Sequence, residues 1–157
     1  MSENTGNVLT DETFEGVFPC YEGMLQIKIA GTYTDIADME SVSISIDNGI
    51  EEWNPYGEDG WTRRLMTAKS VTISVTGKRN VGDAGNDKIA SYAFKNGRDA
   101  EGDFQITFKN GDTVELEGAV ISVTAYEYGD STSVAPLEFD VQSNGKPTIT
   151  YAEDGEG

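Results

Sequence analysis

Residues 104–125 read FQITFKNGDTVELEGAVISVTA. Phe104, Ile106 and Phe108 alternate with polar neighbours, and Val114 and Leu116 continue the alternation. A period of two sends one set of side chains to one face, which marks a half-buried strand. Asn110-Gly111 separates the two runs, and both residues tolerate the positive φ that a tight hairpin turn requires. Beyond Leu116 the phase flips, so that Ile121, Val123 and Ala125 are in step. Glu117-Gly118 stands at the flip and predicts a β-bulge, in which one extra residue is absorbed by a glycine. This stretch decides the fold class in favour of an antiparallel β structure.

The same alternation recurs on both sides. Upstream lie Leu25, Ile27 and Ile29, then Val42, Ile44 and Ile46, then Val71, Ile73 and Val75. Downstream lie Leu137, Phe139 and Val141, with a last short strand expected over 148–151. Asn144-Gly145 reads as a hairpin turn between these last two strands. Asn48-Gly49 reads as the end of the 42–46 strand and the start of a long loop over 48–67. One segment, 83–96, has helical spacing, because Ile89, Tyr92 and Ala93 fall on one face. Asp83 is suited to its N-cap, Asp87 to its first turn, and Asn96-Gly97 to its end. The expected architecture is a mainly β, antiparallel sandwich or barrel carrying one helix.

Composition narrows the function. The chain has 157 residues, enough for one domain with a real core. No apolar run approaches the roughly 20 residues that span a bilayer. Residues 1–10 are polar, with no basic residue ahead of an apolar stretch, so no secretory leader is expected there. Residues 1–20 read as an N-terminal arm, 21–151 as the β domain and 152–157 as an acidic tail. Histidine is absent, which excludes a Ser-His-Asp or Cys-His triad and the usual zinc sets within this chain. No spacing marks a glycosidase pair of carboxylates. Residues 47–52 lack the ligand alternation of a calcium loop. No catalytic residue, cofactor or metal is therefore expected. Cys20 is the single cysteine, and the residue type predicts a small buried apolar group.

The net charge is −17. It is uneven: residues 1–67 carry 13 acids and 3 bases, residues 68–100 carry 3 acids and 6 bases, and residues 101–157 carry 12 acids and 2 bases. So acidic a surface repels nucleic acid over most of its area.

Residues 77–97 read GKRNVGDAGNDKIASYAFKNG, and residues 117–148 read EGAVISVTAYEYGDSTSVAPLEFDVQSNGKPT. A basic turn after a strand, then Gly-Asp-Ala-Gly, a short helix and Asn-Gly, followed by closing strands, resembles the major tail tube proteins of long-tailed bacteriophages and phage-tail-like bacteriocins. The resemblance covers roughly residues 20–150. It implies a virion structural protein, assembled in a bacterial host, whose hexameric rings stack into a tube that DNA traverses without specific binding. It also implies partners in the tape measure, tail tip or baseplate, terminator and, in a contractile particle, a sheath. Neither an enzyme nor a membrane protein is implied.

On that reading the 48–67 loop is a subunit contact. Its Trp53, Asn54, Pro55, Tyr56, Trp61, Arg63 and Arg64 include the residue types enriched at interface hot spots. Lys78, Arg79 and Asp83, in the basic turn and helix, are a second expected contact. Lys78, Arg79, Arg98, Arg63 and Arg64 are expected to pair with carboxylates of a neighbour. Glu115 and Glu117 are the candidate lumen-facing acids. Two readings compete: Trp53, Tyr56 and Trp61 as a loop capping the core, or as the sugar platform of a carbohydrate-binding β-sandwich.

Overall fold

A computed structural model describes residues 15–151. The elements run β1 (Met24–Ile29), β2 (Thr32–Asp35), β3 (Met39–Trp53), β4 (Arg63–Lys78), α1 (Ala84–Ala90), β5 (Glu101–Thr107), β6 (Thr113–Tyr126), β7 (Pro136–Gln142) and β8 (Thr148–Thr150). All pairings are antiparallel and form one sheet in the order β2-β1-β5-β6-β7-β4-β3, with β8 also on β6. The sheet is not closed, so the outer edges of β2 and β3 have no strand partner among the described residues.

The alternating residues meet in one core. Ile27, Ile73, Val75, Phe104, Ile106, Leu116, Ile121, Leu137, Phe139 and Val141 are buried together, with Ile89 and Tyr92 from the helix region over them. Phe104 and Phe139 meet edge to face at 6.1 Å, a geometry that aromatic quadrupoles favour.

The predicted bulge is present. Gly102 pairs Ala119 and Phe104 pairs Leu116, so Glu117 and Gly118 together face Asp103. Gly118 has φ +64 and its N–H donates to Asp103 Oδ1 at 2.8 Å. A second irregularity, between Val123 and Ala125, resets the phase again. The two bends let one edge of β6 carry β8 at residues 113–115 and β7 at residues 120–126.

Several sequence expectations need correction. Asn144-Gly145 does not close a hairpin, because β8 pairs with β6 and not with β7. Asn48-Gly49 does not end a strand: β3 continues through it to Trp53, paired with β4 back to Arg63. The loop expected over 48–67 therefore shrinks to residues 54–62. Gly49 fits inside the ladder, since a Cβ there would lie 2.9 Å from that of Ala68. The helix is shorter than 83–96. After Ala90 the bonding tightens to Tyr92 N–H on Ile89 O and Ala93 N–H on Ala90 O, while the Ser91 hydroxyl takes the Lys88 carbonyl. Cys20 is exposed, because its single helical turn, Cys20–Glu22, buries nothing. The sequence expectation has no strand at Thr32–Asp35, where β2 lies. Residues 1–14 of the expected arm and the expected tail, 152–157, lie outside the described residues.

Candidate assembly surfaces

Strand β4 has two ends with different surroundings. From Thr72 to Lys78 it lies between β3 and β7. Val71 is still held on that side by Ser143, whose N–H donates to Val71 O at 2.9 Å. From Arg63 to Ser70 the only strand partner among the described residues is β3, so the two strands leave the sheet as a two-stranded ribbon. At roughly 3.3 Å per residue the free part of β4 extends about 25–30 Å. Residues 61–70 are all exposed. The ribbon nevertheless carries Ile50, Trp53, Leu65 and Met66, and its tip adds Tyr56 and Trp61, all of them exposed.

The tip is ordered by its own bonds. Asn54 Nδ2 donates to Gly60 O at 2.9 Å and to Thr62 Oγ1 at 3.0 Å. Trp53 faces Arg63 across the ladder, and Pro55 is half-buried. Arg64 Nε donates to Glu52 Oε2 at 3.0 Å. Trp53, Tyr56 and Trp61 take no part in the core cluster, so the core-capping reading falls.

At the other end of β4 the basic turn meets the helix. Arg79 is only 11% exposed; it binds Asp87 Oδ1 and Glu127 Oε2, each at 2.8 Å. Its Nη1 also donates to Asn86 Oδ1 at 2.9 Å. Asn86 is fully buried and accepts further from Asn80 N–H, while its Nδ2 donates to Ala37 O and Lys78 O. Asp83 Oδ2 caps the helix through Asn86 N–H and also accepts from Ala37 N–H. Arg79 holds the Asp87 carboxyl below its ordinary range, helped by the Gly82 N–H. Gly85 is required by close approach, since a Cβ there would run into the Asp35 carbonyl. The basic turn thus ties α1 to β2, β4 and β6 within one chain. Lys78 likewise has Glu40 of its own chain at 3.6 Å. Within the chain, Lys78, Arg79 and Arg64 have carboxylates of their own to pair with.

The face of the sheet opposite the core is polar. Ser43, Ser74, Asp140 and Ser122 lie side by side across β3, β4, β7 and β6. On the other half, Gln26, Gln105 and Glu115 form a row across β1, β5 and β6. Glu115 accepts the Tyr33 hydroxyl at 2.5 Å. Burial and this carboxylate push the Tyr33 phenol well above its usual range. Glu117 is exposed on the same face, at the bulge.

Between the free edge of β3 and the β1–β5 pair, the unclosed sheet leaves an apolar groove of about 640 Å³. Val42, Ile44, Met39, Ile36, Ile106 and Phe108 line it, and Phe18, Cys20 and Tyr21 form its rim. Among the described residues no group of His, Cys, Asp and Glu is placed to hold a metal, and no helix is long and apolar enough to cross a membrane.

This open antiparallel sheet with one short helix matches the fold of several solved tail and tube proteins. The chain is similar to the tail of an empty gene transfer agent particle refined with C6 symmetry, with a TM-score of 0.63 and 21% identity over 81% of this chain and 94% of that one. It is similar to the sheath–tube complex of an extracellular contractile injection system in its extended state, with a TM-score of 0.58 and 15% identity over 96% of this chain and 99% of that one. The tube-terminating cap of the anti-feeding prophage gives a TM-score of 0.61 and 12% identity over 88% and 94%. No family model and no curated protein matches the sequence.

Proposed function

We propose that this protein is the repeating subunit of a tail tube, a structural component of a phage or phage-like particle and not an enzyme. Six copies form a ring, rings stack, and DNA passes through the channel during ejection. The observation that carries this reading is the unburied ribbon on a tail-tube fold. A two-stranded hairpin is marginally stable in water by itself, and this one exposes aromatic and aliphatic side chains along its length. A neighbouring copy supplies the missing burial. The free edges of β2 and β3 are also templates for pairing, and a ring of subunits satisfies them.

The polar face of the sheet suits a channel wall. Its hydroxyls and carboxylates, including Asp140, Glu115 and Glu117, repel the DNA backbone and leave it free to slide. The terminator, baseplate or tip, and tape measure are the expected partners. A contractile particle, with a sheath around the tube, is the second reading. The likeness to a chain of the extended sheath–tube complex supports this second reading.

Negative-stain electron microscopy of the concentrated protein, alone and with tail-tip proteins added, tests the proposal. Tubes of uniform width with a central channel are expected. Isolated particles under both conditions would overturn it and turn attention to glycan binding by Trp53, Tyr56 and Trp61.

A further inference from the structure

The two ends of β4 carry complementary surfaces. At the ribbon tip, Glu51, Glu58 and Asp59 have no base within ion-pair distance among the described residues, and Arg63 is the only base there not already held. Exposed Tyr56 and Trp61 stand among these acids. At the helix corner the signs reverse. Lys88, Lys95 and Arg98 have no carboxylate partner among the described residues, whereas Asp83 and Asp87 are occupied by the helix cap and Arg79. Acids border the same corner: Asp99 and Glu101 follow Arg98, and Asp130 lies two residues beyond Tyr128. Lys88 and Lys95 both sit over the Tyr92 ring, at 5.4 and 5.2 Å. Beside them Phe94 is 89% exposed and packs edge-on against Tyr126, two residues before Tyr128, which is 92% exposed.

These surfaces cannot meet within one molecule. They sit at opposite ends of a 16-residue strand, roughly 50 Å apart when extended. Resting on the tube reading, we infer that the ribbon tip of one copy docks on the helix corner of the next. Glu51, Glu58 and Asp59 face Lys88, Lys95 and Arg98, and Tyr56 and Trp61 cover Phe94 and Tyr128. Such a contact joins two different patches, so it propagates head to tail and does not stop at a dimer. The uneven charge of the sequence then has a purpose. The basic segment is the receptor, and the acidic remainder suppresses every other pairing.

The test uses the full chain in its tubes. In a C20S background, the D59C/R98C pair is expected to give a ladder of disulfide-linked oligomers on mild oxidation, and neither single cysteine gives more than dimers. Separately, K88E/K95E/R98E and E51K/E58K/D59K are each expected to raise the protein concentration needed for tubes roughly tenfold or more, because like charges now oppose each other. Both sets in one chain restore assembly, which a merely structural role would not predict. Tubes without the ladder, or no restoration by the combined swap, overturn this docking and leave the tube reading standing. No tubes from the unaltered chain overturn both.

Discussion

The two halves of strand β4 are made of similar residues and live in different worlds. Residues 71–78 alternate between buried and half-buried because β3, β7 and the core hold them. Residues 63–70 pair with β3 alone, and none is buried. One half is fixed by its own chain. The other half has its ladder hydrogen bonds but no hydrophobic partner. Hydrogen bonds exchanged with water contribute only about 1 kcal/mol each, and burial contributes most of the rest. The ribbon is therefore structured enough to be presented and too bare to be finished alone.

The largest expected effects fall on the body. Phe104→Ala empties a fully buried aromatic site and is expected to cost about 3–5 kcal/mol in denaturant unfolding. Asn86→Ala leaves Ala37 O, Lys78 O and Asn80 N–H without their partner and is expected to cost about 3 kcal/mol. The ribbon should behave oppositely. Trp61→Ala is expected to shift unfolding by less than about 0.5 kcal/mol while preventing tube formation in micrographs. Deleting residues 50–65 should keep the β signal in circular dichroism and abolish polymerisation. Loss of that signal would show the ribbon to be part of the core and erase the contrast. The smallest effect concerns pH. Asp87 has its carboxyl depressed by Arg79, so its contribution is present above the unfolded carboxylate pKa and lost as pH falls through the folded one. The unfolding midpoints of Asp87→Asn and the unaltered chain should differ near neutrality and converge in acid.

What could be read in the sequence follows the same division. Where one face of a strand is buried, the period of two is forced on the residues, so Phe104–Ile106, Leu137–Val141 and the bulge at Gly118 were legible. In the ribbon both faces meet solvent, nothing enforces alternation, and Asn48-Gly49 looked like a stop. Its hairpin signal was local, whereas the ladder through Gly49 depends on Ala68, which lies far along the chain. Strand β2 escaped notice because its turn, Ala30-Gly31, uses an alanine at φ 50 where asparagine is the usual signal. The aromatic residues of the tip carry a contact signal in their residue types alone, whereas the pairing of the bases within the chain leaves no trace in spacing. Arg79 is consumed by a network around Asn86, a residue whose burial no spacing announces. Phe94 and Lys95 read as parts of a longer helix, but α1 ends at Ala90 and leaves them beyond it.

The position of β7 in the sheet gives the ribbon a place in time. β3 and β4 are adjacent in sequence and can zip together early, as local hairpins do. Their anchorage waits, because β4 gains its second neighbour only from residues 136–142. During synthesis the aromatic tip emerges long before the strand that aims it. A nascent chain thus exposes the tip without a rigid base, and on the tube proposal the docking-competent form arrives only with the last third of the chain.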